Sequence, residues 1–397
     1  MRILHIIATL NPESGGPTES VRTLLSFTSI GYVGEVVTFD DPKAPYLNQY
    51  NFPVHALGPT RTTYGFNLKL LPWLKVNRHR FDGIVVNGLW QYCGFAAWLA
   101  LAGKQPYVVF THGMLDPYFK HAFPLKHLKK WLYWVPAEYR VLRDAYRVLF
   151  TSTAEMRLAE QSFWLHRWNP MVVPYGANRP PQKLPQEFTD AFYQQCPEMR
   201  GKRFLLYLGR IHRKKGCDLL IEAFGKVAAS DPELELVMAG PDQQHWSFDL
   251  QKMAAEAGVS DRIHWPGMIT GDAKWGAFTA AEAFILPSHQ ENFGIAVAEA
   301  LACSTPVLLA DKVNIAEDIA NEGAGLMESD TLEGTINLLR RWIAMPPEEK
   351  AAMSERAKIC YETHYDMQEN AKAIIRIFES AGATNTSQDS AQLSSHA

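Results

Sequence analysis

Several absences narrow the reading of this sequence. Lysines and arginines number 39 against 42 aspartates and glutamates, a formal net charge of -3. There is thus no basic excess of the kind that carries nucleic-acid binding. The five cysteines, Cys93, Cys196, Cys217, Cys303 and Cys360, are scattered and form no CxxC pair. That excludes a zinc knuckle or dithiol redox centre and suits a reducing compartment. The longest apolar stretch, 94–102, is about half the length a bilayer-crossing helix needs. A strand-like run starting at Arg2 leaves no room for a charged leader and signal-peptide core. No GxGxxG follows that run, which excludes the dinucleotide fingerprint, and Asp40-Asp41 does not make a DxD metal motif. The expectation is a cytoplasmic protein that does not span a membrane.

What is present is a two-domain pattern. A chain of 397 residues, 47% apolar and 20% charged, suits two soluble globular domains. Val- and Ile-rich runs at 3–9, 34–39, 83–87, 107–112, 147–152 and 171–176 alternate with amphipathic segments such as 17–30, 65–79 and 125–143. Continuous apolar runs separated by helices indicate a parallel sheet covered on both faces. Pro180, Pro181, Pro185 and Pro197 then mark a change of character, read as a linker over 181–202. The alternation restarts at 204–210 and continues through 235–241, 262–267, 283–288 and 305–311. The predicted architecture is α/β: two Rossmann-like, doubly wound domains facing across a cleft at the carboxyl ends of their strands. The first spans 1–180, with a helix at about 366–381 packed back on it. The second spans 203–365, and a Ser-rich tail over 383–397 is expected to be disordered.

Three local patterns carry chemistry. Gly15-Gly16, before Pro17, suits a plain strand-to-helix turn and an anion site at a helix start equally well. Gly209-Arg210 ends the first strand of the second domain, and Lys214-Lys215-Gly216 follows. Arginine as a planar fork and lysine as a point charge are what a diphosphate needs, although an isolated RxxKK is more often a solvated loop. The third pattern, 287–302, follows an apolar strand and opens a helix near Gly294. The amides of Asn292, Phe293 and Gly294 would face a phosphate or sugar hydroxyl there. Glu291 precedes the helix, and Glu299 lies within the otherwise apolar run 295–302, where a buried carboxylate requires a partner. A carboxylate accepts two hydrogen bonds at once and matches a vicinal diol, so one glutamate suits sugar hydroxyls and the other ribose hydroxyls.

Together these features resemble glycosyltransferase family 4, retaining enzymes of the GT-B fold. The spacing of Glu291 and Glu299 is the E-x7-E motif of that family. The likeness also covers the Gly15-Gly16 loop, Thr111-His112-Gly113, VVPYGAN (172–178), YLGRIHRKKG (207–216), VMAGP (237–241) and WPG (265–267). The resemblance implies a nucleotide diphosphate sugar as co-substrate, with no other cofactor. It assigns Gly209, Arg210 and Lys215 to the diphosphate, Glu291 and the 292–294 backbone to the donor sugar and phosphate, and Glu299 to the ribose. It places His112 at the reaction centre and Gly16 near the phosphates or acceptor. Lys215 is preferred to Lys214 because it precedes the glycine. Tyr175-Gly176 stands where the family often has Asn-Gly. Since the cations cover a metal's role, no metal site is expected.

The segment 118–143 mixes Lys120, Lys126, Lys129 and Lys130 with Trp131 and Trp134. It suits an aromatic helix face packed into the first domain, or a helix resting on an anionic membrane at the inner face of the cell membrane. The stretch His112–Pro117 resembles a subgroup that assembles bacterial polysaccharides on lipid-linked acceptors. The partners expected are therefore a nucleotide sugar and a glycan or lipid-linked acceptor. A sugar-nucleotide epimerase of the same architecture and a non-catalytic donor-binding subunit are the rival readings.

Overall fold

The structure, a computed structural model, describes residues 1–118, 120, 124–242 and 245–394, with side chains described for all of these except 13, 29 and 383–394. The chain divides into two compact units: Met1–Tyr175 together with the segment from Met367 on, and Gly176–Asp366.

The first unit holds seven strands: β1 (Arg2–Ile6), β2 (Val33–Thr38), β3 (Val54–Ala56), β4 (Gly83–Asn87), β5 (Tyr107–Phe110), β6 (Arg147–Phe150) and β7 (Pro170–Val172). They form one sheet in the order β3-β2-β1-β4-β5-β6-β7, and every pairing is parallel. Every residue of β4 and of β5 is buried, which is why these strands read as apolar runs. The second unit holds β8 (Arg203–Leu208), β9 (Leu234–Ala239), β10 (Ile263–Gly267), β11 (Ala283–Leu286), β12 (Val307–Ala310) and β13 (Gly325–Glu328). Their order is β10-β9-β8-β11-β12-β13, again parallel throughout. In each sheet the order in which the chain adds strands reverses once, between β1 and β4 and between β8 and β11. In open parallel sheets, ligands bind outside the carboxyl ends of the strands at that reversal.

Three expectations change. The stretch 181–202 is not a linker: helix Pro185–Gln195 buries Phe188 and Phe192, and the Phe192 ring lies 5.6 Å from that of Phe204 on β8. Pro185 stands in the first turn of this helix, where a missing N–H costs nothing, so the proline marks a helix start. Accordingly, the second unit begins at Gly176 rather than near residue 203. The single helix expected over 125–143 is broken into Pro124–Tyr133, a wide π-type turn Trp134–Glu138 and Tyr139–Arg143. Pro136 lies in the wide turn and supplies its cause, since it has no N–H for the helical ladder. The final helix, Met367–Ser394, belongs to the first unit, and the disordered tail expected from 383 falls outside the residues whose side chains are described.

The wide turn anchors the first unit. Trp134 is fully buried, stacks on Phe163 at 4.1 Å and 10°, and donates from Nε1 to the Leu165 carbonyl at 2.8 Å. A buried indole needs that partner. Glu138 is also fully buried, and burial pushes its pKa up to about 8. The native state therefore holds a proton on Glu138 that the unfolded chain releases above its ordinary value of 4.5. The stability this gives is fully present below that value and is lost as pH rises towards 8. Glu138→Gln, neutral at every pH, should gain on the wild type as pH climbs from 5 to 8, by on the order of a few kcal/mol at the top. Calorimetric melting at pH 5, 6.5 and 8 checks this; parallel curves would refute it.

Candidate active site

In the second unit, the loop after β8 and the loop after β11 are held against each other. Gly216 has φ 67°, and a Cβ there would lie 2.1 Å from the Pro287 carbonyl oxygen, so only glycine permits the approach. The backbone N–H of His289 donates to the Lys214 carbonyl at 2.9 Å, and His212 Nδ1 accepts from the N–H of Lys214 at 3.0 Å. This brings the Lys215 ammonium into contact with the Glu291 carboxylate, both largely shielded from water. It is Lys215, rather than Lys214, that meets Glu291. Burial, followed by the charges of Lys214 and Arg210, presses the Lys215 pKa down to about 7. Contact with a carboxylate works in the opposite direction and favours the ammonium.

Glu291 is fixed through its backbone. Its N–H donates to the Lys312 carbonyl at 2.9 Å, and its own carbonyl accepts from Asn314 at 3.1 Å. Phe293 is buried edge-on to Tyr365, with centroids 5.8 Å apart. Gly294, at φ 79°, opens helix Ile295–Ala302; a Cβ there would come within 3.0 Å of Val297 and 3.3 Å of Glu291. The amides of 292–294 therefore sit at a helix start that lacks a side-chain cap.

Glu299 is 9% exposed, and its partner is Lys274, whose Nζ donates to Oε1 at 2.5 Å. Lys274 also lies 4.6 Å above the Trp275 ring. No sequence motif marks Lys274; its pairing with the second glutamate appears only in three dimensions. Arg210 is exposed at the end of β8, with its carbonyl accepting from Tyr207 Oη at 2.7 Å, and the N–H of Gly209 donates to the Ala239 carbonyl at 2.9 Å. The family resemblance assigns Lys215 to the diphosphate and Glu291 to the donor sugar and phosphate, with no contact between them. The structure pairs them directly, because Gly216 lets their loops touch.

In the first unit, His112 follows β5 with φ 49°, a strained value for a residue other than glycine. Strain of this kind needs surrounding support, and Glu155 provides it. One carboxylate oxygen accepts from Thr111 Oγ1 at 2.6 Å and from the N–H of Gly113 at 2.7 Å; the other accepts from the N–H and Oγ1 of Thr151 at 2.7 and 2.6 Å. The His112 ring stacks on Phe110 at 4.8 Å and 15°. Burial holds its pKa down at about 3, so it is neutral at physiological pH. Gly16 is the first residue of helix Gly16–Leu24, whose start has no side-chain cap. Among the described residues, no group of three or more His, Cys, Asp or Glu side chains is arranged to hold a metal ion.

Residues 22–176 match the family described as glycosyl transferase 4-like domain, and residues 190–359 match glycosyl transferases group 1. The chain belongs to the family 4 glycosyltransferases. Its relatives include the D-inositol 3-phosphate glycosyltransferase of Paenarthrobacter aurescens, 30% identical over 40% of this chain and 41% of that protein. They also include the lipopolysaccharide core biosynthesis mannosyltransferase LpsB of Rhizobium meliloti, 25% identical over 60% of this chain and 74% of that one. The match to the D-inositol 3-phosphate enzyme thus spans well under two thirds of its length. Among solved structures, the sucrose-phosphate synthase of Thermosynechococcus elongatus superposes with a TM-score of 0.74 at 19% identity, covering 96% of this chain and 99% of that one. Anabaena HepE in complex with UDP-glucose gives a TM-score of 0.74 at 18% identity, covering 96% and 100%. These likenesses establish the GT-B fold of this family 4 glycosyltransferase.

The second unit generates a direct test. Lys215→Ala should weaken nucleoside diphosphate binding by about 10- to 100-fold, the worth of a charged hydrogen bond. Calorimetric titration with UDP, GDP and ADP measures it. Unchanged affinity for whichever of these binds the wild type would remove Lys215 from the diphosphate site.

Proposed function

We propose that this protein is a retaining hexosyltransferase. It moves a sugar from a nucleotide diphosphate sugar to a glycan or lipid-linked saccharide in the assembly of a bacterial surface polysaccharide. The observation that carries the reading is the contact of Lys215 with Glu291 beside the helix start at Gly294. That arrangement offers a cation and backbone amides for a diphosphate, next to a carboxylate suited to sugar hydroxyls. Glu299, anchored by Lys274, takes the ribose diol. The mannosyltransferase of lipopolysaccharide core biosynthesis and the UDP-glucose complex among the similar proteins support the substrate class.

Glu291 is engaged by Lys215 and serves as a binding group rather than a nucleophile. The acceptor oxygen then bonds to the anomeric carbon while the bond from that carbon to the diphosphate oxygen breaks. The acceptor proton passes to the departing diphosphate, and configuration is retained. Lys215, Arg210 and the 292–294 amides stabilise the charge that grows on the leaving group. On the first unit, His112 serves the transfer step and Gly16 the phosphate or acceptor. Lys215 and Arg210 do the work of a divalent metal. The same positions argue against the epimerase and non-catalytic readings, since the donor-binding residues are all present.

Full turnover in EDTA, with a product of the same anomeric configuration as the donor by NMR, is the expected result. Inversion, a manganese requirement, or epimerised nucleotide sugar without acceptor would overturn the proposal.

Peripheral contact with an anionic membrane belongs to the same proposal. Leu125 and Leu132 are 81% and 78% exposed, and with Leu128 and Val135 they form one stripe at helical spacing. Lys120, Lys126 and Lys129 are exposed in the same segment, while Trp134 turns inward and is buried; residues 119 and 121–123 lie outside the described residues. Exposed Trp164 stacks on Trp131 at 5.6 Å and enlarges the apolar surface. Leucines among lysines suit a surface of acyl chains below anionic headgroups. No helix among the described residues is long and apolar enough to cross a membrane. Sedimentation with phosphatidylglycerol vesicles should be strong at low salt, and weak at high salt or in Leu128→Glu/Leu132→Glu. Equal sedimentation in all three cases would refute the contact.

A further inference from the structure

A line of buried polar groups crosses the first unit beneath His112. Tyr32 Oη lies 2.6 Å from His5 Nε2, and the Asn87 amide nitrogen lies 3.2 Å from His5 Nδ1. The Asn87 amide oxygen lies 3.3 Å from His112 Nε2. Tyr32, His5 and Asn87 are each at most 2% exposed. His5 is on β1 and Asn87 ends β4, so the line crosses the sheet at its point of reversal.

The orientation of the Asn87 amide decides the protonation of everything else. Its nitrogen also faces the carbonyl oxygens of Ile6 and Val85, each at 3.4 Å. Carbonyl oxygens only accept, so the NH2 group must be on that side and the amide oxygen on the side of His112. An amide oxygen also only accepts. His112 Nε2 must therefore carry the proton, and its Nδ1 keeps a lone pair. His5 follows the same logic: Nδ1 accepts from Asn87, and Nε2–H donates to Tyr32. Among the described residues, His112 Nδ1 makes no hydrogen bond.

We infer that Asn87, held by His5 and Tyr32, is a positioning residue that fixes His112 as the Nε2–H tautomer and reserves its Nδ1 lone pair to accept a hydrogen bond from a sugar hydroxyl. The inference rests on the reading of His112 as a residue of the transfer step. It makes His112 a neutral acceptor that orients substrate, not a cation that stabilises charge. Burial agrees, since it holds both His5 and His112 near pKa 3. The other titratable groups near His112 are His5 on β1, Tyr175 after β7, and Glu155, whose carboxylate is already bound by Thr111, Gly113 and Thr151.

Two measurements test it. The first is a nitrogen–proton correlation spectrum of histidine-labelled full-length protein, with the His112 signals assigned by their loss in His112→Gln. Wild type should show a protonated Nε2 and an unprotonated Nδ1; the reverse pattern overturns the inference regardless of activity. The second is kinetic. Asn87→Leu should lower kcat by about a hundredfold, with the KM for nucleotide sugar nearly unchanged. Asn87→Asp keeps the acceptor for Nε2–H and should restore most of kcat at pH 8. Its carboxylate favours imidazolium, so its activity should fall as pH drops towards 6, while wild type stays flat. Wild-type kcat in Asn87→Leu alongside an inactive His112→Gln would overturn the positioning role. Full activity in His112→Gln would instead overturn the assignment of His112 to the transfer step, leaving the tautomer to stand on the spectrum.

Discussion

A lysine shielded from water keeps its proton only while a counter-charge stands beside it, and the contact of Lys215 with Glu291 meets that condition. Much of the second unit serves this contact. β8 and β11 are neighbours because the order of strand addition reverses between them, so their carboxyl-end loops emerge side by side. Gly216 allows those loops to touch, and the loop after β12 fixes Glu291 through its backbone. Lys274 does for Glu299 what Lys215 does for Glu291. The first unit works on the opposite principle. Around His112 the polar groups are mostly neutral and fix one another by hydrogen bonding, with the multiply bound carboxylate of Glu155 as the exception. The site residues of the second unit are held by charge pairs, and those around His112 by the direction of donors and acceptors.

How much was legible in the sequence follows from how local each signal is. β5, β11 and β12 announced themselves because burial on both faces imposes an unbroken apolar run, and β1, β2, β4, β8 and β9 did so through runs broken by only a few polar residues. β3 and β13 did not: each is short and at a sheet edge, and Val54-His55-Ala56 has no such run. The 181–202 stretch was misread because proline signals both loops and helix starts, and only the burial of Phe188 and Phe192 distinguishes them. At the site, Arg210, Lys215, Glu291 and Glu299 lie within short motifs at strand ends and helix starts, where residue type and spacing are informative. Lys274, Asn87 and Glu155 act on residues 25, 25 and 44 positions away, and no local pattern records such pairings. The burial of Glu299 in an apolar run did announce that a partner was required, without naming it.

The second unit begins and ends within the first, and its two ends are clasped. Ala177 bridges to Asp366, Arg179 donates to Asp366 Oδ2 at 2.7 Å, and Tyr361 Oη donates to the Ala177 carbonyl at 3.0 Å. In the order of synthesis this makes the second unit an insertion. It is complete, with its ends tied, while the first unit still lacks the helix that starts at Met367. That helix carries buried Ala371, Ile374, Ile377 and Phe378, so the apolar patch it covers stays open until the helix itself has left the ribosome. The unit that starts first is the one that finishes last. During translation, the patch that this helix covers is the part of the first unit that stays open longest.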